Sequence, residues 1–279
     1  MSGVDVFSTL NEELGRLAGE RKARAIAVAL HDLESGVRFS LQGDRWFHAA
    51  STIKVAVLVA VFRAADEGRL RMGDSLHVRN RFISVADGLP FHLSRDSDAM
   101  PELHRRIGRV AKISELAEGM IVASSNLATN LLLDYVTVEY ARNVLRNAQV
   151  EGVELRRGVE DHRAHEKGIN NQVTANGLLR LLSALRGDFL SAKSKEQAIR
   201  ILLEQRFDSM IPAGLPAHAV VAHKTGEIST ACHDMGIVYL PEREPYLAVI
   251  LTEFDSDRDG RRETVAAISG AIYRSIVQT

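Results

Sequence analysis

Two groups of strand-forming segments, separated by a long stretch without them, most constrain the fold of this 279-residue chain. The segments are short and apolar, and turn residues bound them: 24–33, 37–41, 219–226, 235–240 and 246–253. The first two flank the turn Glu34-Ser35-Gly36 and predict a hairpin, and the last three are spaced closely enough for an antiparallel meander. Because helices are predicted at 4–18 and 261–277, the two ends together predict one helix-covered antiparallel sheet.

The stretch between the two groups predicts an inserted helical domain. Helical segments are indicated at 51–68, 113–122, 126–136, 138–147, 174–185 and 194–205. Two irregular stretches, 74–103 and 151–172, predict long loops. The predicted fold class is therefore mixed α/β (α+β), a five-stranded antiparallel sheet covered by helices with an inserted all-helical domain. We expect the sheet domain at 1–46 and 206–279, the helical domain at 47–205, and an active site at their interface.

The charge and the cysteine content narrow the range of partners and compartments. The formal net charge of −1 gives no electrostatic reason to expect nucleic acid or an acidic membrane surface as partner. Cys232 is the only cysteine, so no disulfide can form within the chain, which is compatible with a reducing compartment. The N-terminal segment carries no signal-peptide pattern, and no apolar run is long enough for a membrane span. As written, the sequence predicts a cytoplasmic protein, with a periplasmic or secreted location only if a leader was removed.

The first chemical motif is an S-x-x-K pattern, Ser51 to Lys54, directly before the apolar run 55–62. On a helix, residues three apart share a face, so the Ser51 hydroxyl and the Lys54 amine are expected side by side. The N-terminus of a helix also offers free backbone N–H groups and a positive dipole end, which suit a nucleophile that loses a proton and then stabilises an oxyanion. The alternative is that Ser51 caps a helix and Lys54 is a solvated surface lysine.

Two further motifs follow in the chain. Residues 124–126 read Ser-Ser-Asn at a junction between predicted helices, and residues 224–226 read Lys-Thr-Gly on a predicted strand. Each has a structural alternative. The serines are also typical of a helix N-cap, and a lysine on an edge strand discourages pairing with another chain.

In this order, the three motifs resemble the signature of class A β-lactamases and penicillin-binding proteins. The stretch 120–133 is also similar to the family's second-motif helix, and the resemblance covers nearly the whole chain. It implies a serine hydrolase that opens a β-lactam amide through an acyl-enzyme. Nothing in the sequence requires a metal or an organic cofactor, and its histidines lack the spacing of metal ligands. The implied catalytic and substrate-binding residues are Ser51, Lys54, Ser124, Glu160 and Lys224, and Asn126, Thr225, Gly226 and Glu227.

The resemblance also implies a role for each residue. Ser51 would be the acylated nucleophile, and Lys54, with a lowered pKa, would accept its proton. Ser124 would pass a proton to the leaving nitrogen, with Lys224 adjusting its electrostatics. Asn126 would hold a substrate amide. The backbone N–H groups of Ser51 and Glu227 would form an oxyanion hole. Lys224 and Thr225 would bind the carboxylate of the substrate.

The loop 151–172, which is expected to carry the acid that activates the deacylating water, departs from the family pattern. Glu160 lies about where the family has its glutamate, and Glu166 is a rival in the same loop. Four residues after Glu160 the chain has Ala164, where the family has an asparagine that helps to hold the water. Without a well-held water, acylation can outrun deacylation, and the protein would trap its substrate. The second motif has Ser125 where aspartate is usual, a position expected to be structural.

The segment after the third motif also departs from the pattern. Glu227 is an acid beside the expected carboxylate site, where it would repel an anionic substrate, and the segment 228–233 lacks the arginine that class A enzymes use there. His223 and His233, which flank the third motif, are expected either to compensate in part for the missing arginine or to be hydrogen-bonded residues at the rim of the site. The loop 79–103 is longer than usual by about a dozen residues, and it is expected to overhang the pocket and to contribute Phe91 or His92 to its wall.

Three functions therefore stay open. The first is a β-lactamase that uses Ser51 and Glu160, and the second is a related hydrolase of small esters or amides. The third is a protein that traps an acyl group without turning it over. The expected partner is in each case a small molecule, a β-lactam or a small ester or amide. A cell-wall peptidase would need export, which the N-terminal segment does not support, and the oligomeric state stays open.

Overall fold

The computed structural model describes residues 3–256 and 259–277, with side chains described from residue 8 onward. Residues 1–2, 257–258 and 278–279 of the predicted sheet domain therefore lie outside the described part. The contacts divide the chain into two compact units, each described by itself below. Unit one comprises 1–52, 173–183 and 207–279, and unit two comprises 53–172 and 184–206.

The helices and the strands of the described part are numbered separately, each in chain order. The helices are α1 (Gly3–Glu20), α2 (Lys54–Asp66), α3 (Pro101–His104), α4 (Ile113–Val122), α5 (Asn126–Val136), α6 (Val138–Asn147), α7 (His162–Glu166), α8 (Ala175–Arg186), α9 (Ala192–Leu203) and α10 (Arg261–Val277). The strands are β1 (Ala25–Asp32), β2 (Arg38–Leu41), β3 (Phe47–His48), β4 (Ser75–His77), β5 (Phe82–Ile83), β6 (Pro90–Phe91), β7 (Val110–Lys112), β8 (Val153–Glu154), β9 (Gln172–Val173), β10 (Val220–Ile228), β11 (Ala231–Tyr239) and β12 (Tyr246–Glu253). Two short 3₁₀ turns lie at Ala50–Ile53 and Pro212–Gly214.

Unit one is built on the predicted five-stranded sheet. Its strand order is β10-β11-β12-β1-β2, and every neighbouring pair is antiparallel. The structure thus confirms both the hairpin and the meander. Helices α1 and α10 pack against each other, and their apolar side chains join those of the strands in one core.

Strand β11 begins earlier than the pattern predicts, at Ala231 rather than at residue 235. The extra residues include His233 and Asp234, which are polar and yet fully buried. A pattern of apolar residues cannot reveal such a strand end, because its polar side chains are hydrogen-bonded inside the protein.

Unit two is mainly helical and is organised around α2. The run 55–62 is buried on every side, and α2 packs against α4, α5, α6 and α9. A helix that is apolar all round is expected to be buried in this way. The unit is not entirely helical, because two short antiparallel pairs, β4 with β7 and β5 with β6, lie in it. The stretch 74–103 is thus a long loop with short elements. Across the described residues, no helix is long and apolar enough to cross a membrane.

Candidate active site

Ser51 lies in the 3₁₀ turn Ala50–Ile53, and the α-helix α2 begins only at Lys54. The N-cap of α2 is Ile53, which makes no side-chain capping bond, so the interpretation of Ser51 as a cap is wrong. Ala50 has a φ of 47°, in the left-handed region that an alanine rarely adopts. The turn is held in this shape by the Ala50 N–H, which donates to His48 Nδ1 at 3.0 Å, and by Thr52 Oγ1, which donates to the Ala49 carbonyl at 2.6 Å.

The end of strand β10 approaches this turn closely at Gly226. A Cβ atom on Gly226 would lie 3.0 Å from the backbone nitrogens of Ser51 and Thr52 and 3.1 Å from Ala50 Cβ. These distances are shorter than ordinary van der Waals contact, so only glycine fits without displacing the turn. Gly226 therefore allows the strand to lie directly beside the backbone N–H of Ser51.

Lys224 is fully buried although β10 is an edge strand of its sheet. Its Nζ donates to the Thr225 carbonyl at 2.8 Å, and Thr225 is buried as well. Lys224 is thus not a solvent-exposed lysine on the edge of the sheet.

In unit two, Lys54 is fully buried and its amine is surrounded by hydrogen-bond acceptors. Nζ lies 2.7 Å from the Ser124 carbonyl, 3.1 Å from Ser124 Oγ and 2.7 Å from Asn126 Oδ1. Burial lowers the pKa of Lys54 to about 7, although the negative charges of Asp98 and Glu160 act to raise it. The lysine therefore exchanges a proton near neutral pH, and its interpretation as a solvated surface residue is wrong.

The two serines of the second motif have different functions. Ser125 is the N-cap of α5, and its Oγ accepts from the Ala128 N–H at 3.1 Å. Ser124 has a φ of 57°, in the left-handed region, and its hydroxyl faces Lys54. The capping interpretation thus holds for Ser125 and not for Ser124. Backbone in this region costs about 1–3 kcal/mol and recurs at functional sites.

Sequence reasoning missed Asp98, a buried acid from the loop 79–103. Its Oδ2 accepts from Ser125 Oγ at 3.2 Å and from the Leu127 N–H at 2.8 Å. Asp98 thus brings a carboxylate to the position where the second motif has Ser125 instead of aspartate. It lies in a polar, irregular stretch of the chain, so only its burial distinguishes it from solvated neighbours.

The structure distinguishes Glu160 from its rival. Glu160 Oε1 accepts from Asn126 Nδ2 at 2.5 Å and from Ser97 Oγ at 3.4 Å, so Asn126 bridges it to Lys54. Its φ of 58° is again in the left-handed region. Glu166 is exposed at the end of α7. Of the two acids, only Glu160 is brought to the lysine by these hydrogen bonds.

Two asparagines hold the loop that carries Glu160. The Asn130 side chain accepts from the Val159 N–H at 2.8 Å and donates to the Val159 carbonyl at 2.9 Å. The Asn171 side chain makes similar bonds to the backbone of residues 156–157. Ala164 is buried in α7 and offers no polar side-chain atom. Besides Asn126, the side chain that donates a hydrogen bond to Glu160 is Ser97, which comes from the long loop 79–103.

The expectation for Glu227 needs correction. Arginines are absent from the segment 228–233, as predicted, but Arg261 and Arg262 at the start of α10 both form ion pairs with Glu227. Glu227 is therefore paired with two arginines, and it is not the unpaired acid that the sequence suggested.

The two flanking histidines are not rim residues, since both are buried. Burial acts to lower the pKa of His223, but Asp234, 3.0 Å from its Nδ1, raises it overall. Burial lowers the pKa of His233 to about 4, so this side chain is neutral at pH 7. The Thr252 N–H donates to Nδ1 of His233, so its Nε2 carries the proton and donates to the His48 carbonyl. Both rings are engaged in unit one, and neither is free to compensate for a missing arginine.

The long loop 79–103 contributes Ser97 and Asp98 to the hydrogen bonds of Glu160 and Ser125, and a contribution of Phe91 or His92 to the pocket wall stays a prediction. Phe91 packs against Phe82 with ring centroids 5.9 Å apart, and His92 is exposed. Among the described residues, no cluster of three or more histidine, cysteine or acidic side chains is arranged to hold a metal ion.

Comparison with known proteins identifies what the chain is similar to. The sequence profile of a family described as the β-lactamase enzyme family matches residues 9–276. A β-lactamase of Proteus vulgaris is 22% identical over 98% of this chain and 97% of its own length, and β-lactamase ROB-1 of Haemophilus influenzae is 25% identical over 96% and 85%. Among solved structures, an ancestral class A β-lactamase matches with a TM-score of 0.82 at 25% identity, covering 95% of this chain and 99% of that one. The structure of PBP-A matches with a TM-score of 0.82 at 23% identity, covering 97% of both chains.

Proposed function

Because its profile match spans nearly the whole sequence, the chain belongs to the β-lactamase enzyme family, and we propose that it opens β-lactam amides through an acyl-enzyme on Ser51. The protein is a serine hydrolase that resembles class A β-lactamases. One observation carries the assignment of residues: Lys54 is buried, has a pKa of about 7, and is hydrogen-bonded to Ser124 and Asn126.

In the acylation step, Ser51 Oγ attacks the carbonyl carbon of the amide and Lys54 accepts the hydroxyl proton. A base must be neutral to accept a proton, and an ordinary lysine is almost entirely charged at pH 7. A pKa of about 7 leaves Lys54 about half neutral at that pH. The proton then passes through Ser124, whose hydroxyl lies 3.1 Å from Lys54 Nζ, to the leaving nitrogen. Lys224 supplies a positive charge that favours this transfer.

The oxyanion that forms in this step is stabilised by the backbone N–H groups of Ser51 and Glu227. Two such donors, fixed in place before the reaction, contribute several kcal/mol in sites of this type, roughly 3–4 kcal/mol for one donor. The close approach of Gly226 to the Ser51 turn supports this pairing, because it keeps the end of β10 beside the Ser51 N–H. Asn126 would hold the side-chain amide of the substrate, and Thr225 and Lys224 would bind an anionic group where the substrate carries one.

In the deacylation step, Glu160 activates the water that hydrolyses the acyl-enzyme. Its hydrogen bonds from Asn126 and Ser97 and its fixed loop support this role. Ala164, which offers no polar group, favours a second candidate function, in which the acyl-enzyme forms readily and deacylates slowly. A hydrolase of small esters is the corresponding alternative, since ester acylation requires less assistance to the leaving group.

One experiment separates these functions. The protein is incubated with a chromogenic cephalosporin and, in parallel, with a nitrophenyl ester, and its intact mass is recorded. We expect turnover of the cephalosporin and a transient adduct, both abolished in Ser51→Ala and kept in the matched control Ser183→Ala on α8. Ester turnover alone would identify an esterase, and a stable adduct without turnover would identify an acyl trap. If no reagent forms an adduct, Ser51 is not the nucleophile.

A further inference from the structure

Glu227 follows directly after Gly226, and both of its carboxylate oxygens are held by arginines. Arg261 Nη2 donates to Oε1 at 2.9 Å. Arg262 Nε and Nη2 lie 2.9 Å and 2.8 Å from Oε2. We refer to these three residues as the Glu227–arginine cluster. With two positive charges and one negative charge, the cluster has a formal net charge of +1.

The two arginines are held differently. The side chain of Arg261 is only 8% exposed, and its Nη1 donates to the carbonyls of Ile228 at 2.6 Å and Ser229 at 3.2 Å. It is thus fixed to the turn between β10 and β11. The side chain of Arg262 is 54% exposed, and within the part of the chain that the structure describes its guanidinium is bonded to Glu227. The hydrogen bond and charge of Glu227 raise the pKa of Arg262, so its positive charge is permanent.

The cluster lies beside the expected position of the substrate. Residues two apart on a strand share a face, so Glu227 and Thr225 lie on the same face of β10. The intervening Gly226 is the residue that approaches the Ser51 backbone. An anionic group bound at Thr225 would therefore meet a carboxylate of this chain next to it, with the nearest arginine donors already engaged.

We propose that Glu227 occupies the arginine pair in the way a substrate carboxylate would, and that it thereby selects for substrates without a carboxylate next to the scissile bond. The inference rests on the proposed acylation at Ser51 and specifies its substrate class: neutral or cationic amides and esters. Removing the Glu227 charge leaves Arg262 without its carboxylate partner, while Arg261 stays bonded to the carbonyls of Ile228 and Ser229, and it changes the formal charge of the cluster from +1 to +2. Carboxylate-bearing substrates then gain attraction, whereas neutral substrates gain none.

The chain supplies a matched control in Glu253, which lies in the same unit. Its side chain is 27% exposed, the same as that of Glu227, and it also pairs with two arginines, Arg24 at 3.4 Å and Arg45 at 3.0 Å. It lies at the end of β12 and has no role in the proposed reaction. A purely structural role of an acid between two arginines therefore predicts equal effects of Glu227→Gln and Glu253→Gln.

The test compares two matched substrate pairs, each with and without a carboxylate. They are a chromogenic cephalosporin and its methyl ester, and nitrophenyl hydrogen succinate and nitrophenyl methyl succinate. The measured quantity is the ratio of the second-order acylation rate constants at Ser51, acid over ester, with the adduct located by mass. Glu227→Gln is expected to raise this ratio about tenfold, and Glu253→Gln to leave it within about twofold of the unchanged protein. Adding Arg262→Gln to Glu227→Gln is expected to remove most of the gain.

The possible outcomes are distinct. An unchanged ratio in Glu227→Gln, or an equal change in Glu253→Gln, overturns the proposed selection, even if both substrates acylate Ser51. If the cephalosporins fail and the succinate pair acylates Ser51 with the expected change of ratio, the β-lactam assignment fails and the role of Glu227 stands. If none of the four reagents acylates Ser51 in either protein, both proposals fail.

Discussion

Lys54 in unit two and the Glu227–arginine cluster in unit one are two ways of placing positive charge at a candidate site. Lys54 is hydrogen-bonded to neutral acceptors, and burial lowers its pKa to about 7. Arg262 is ion-paired directly with a carboxylate, which raises its pKa. The first arrangement gives a group that exchanges protons, and the second gives a fixed charge. The difference shows that burial can lower the pKa of a lysine enough for it to act as a base, whereas an exposed arginine paired with a carboxylate stays charged.

The contrast between Lys54 and the Glu227–arginine cluster would be wrong if Lys54 only stabilised the fold and accepted no proton. Replacement by the apolar Lys54→Met removes the proton acceptor, and we expect the acylation rate constant to fall about 10³-fold, within the range of 10²–10⁴ for general bases. Rapid-quench measurement with a chromogenic cephalosporin checks this. Lys193→Met, at an exposed position of α9, is the control and is expected to have the wild-type rate. Loss of less than about threefold in folded Lys54→Met would end the assignment of Lys54 as the base.

The acid linked to the lysine can be tested separately. Glu160→Gln keeps the hydrogen-bonding shape but cannot accept a proton, so we expect deacylation to slow about 100-fold and acylation to change much less. Single-turnover kinetics resolve the two steps, and Glu166→Gln, exposed at the end of α7, is the matched control. Equal losses in both steps would show that Glu160 is not the deacylation base.

The close approach of β10 to the Ser51 turn is tested by Gly226→Ala. The added Cβ would lie 3.0 Å from two backbone nitrogens, so the turn must move, and we expect acylation to fall about tenfold with a stability loss of about 1–3 kcal/mol. Gly73→Ala, whose Cβ meets nothing within 4 Å, is the control and should keep both properties. Wild-type acylation kinetics in Gly226→Ala would contradict the need for this contact.

The smallest expected effect concerns the serine that approaches Glu160 from the long loop. Ser97 Oγ donates to Glu160 Oε1 at 3.4 Å, a long hydrogen bond from an exposed residue. We expect Ser97→Ala to slow deacylation about threefold, in line with the roughly 1 kcal/mol of an ordinary hydrogen bond. The deacylation rate constant, measured beside that of Ser183→Ala, checks this. A rate at or above the wild-type value would mean that Ser97 does not position the acid.

The sheet and the three motifs could be predicted because their signals are local in sequence. Apolar runs mark β1, β10 and β12, and each motif is a contiguous stretch whose chemistry is visible in its letters. The left-handed backbone at Ala50 and Ser124 has no such signal, because neither residue type favours a positive φ. The sequence therefore predicts Ser51 at a helix start, whereas in the structure it lies in a 3₁₀ turn.

The partners of the motif residues could not be predicted, because they come from distant parts of the chain. Asp98 reaches Ser125 from a polar loop in which its neighbours are exposed. Arg262 reaches Glu227 from 35 residues further along, outside the segment where an arginine was sought. Tertiary contacts of this kind leave no periodicity in the sequence. The carboxylate beside Ser125 and the arginine beside Glu227 thus both come from segments distant in sequence.

The most direct test of the account is the pH dependence of acylation, measured in single turnovers with a neutral substrate. Lys54 must be neutral to accept the Ser51 proton, so the rate constant should rise about tenfold per pH unit below pH 7 and level off above the Lys54 pKa of about 7. Glu160→Gln removes a carboxylate that raises this pKa, so it should move the limb to lower pH. A limb above pH 9, where an ordinary lysine titrates, or a rate constant that does not change between pH 5 and pH 9, would contradict the assignment of Lys54 as the proton acceptor.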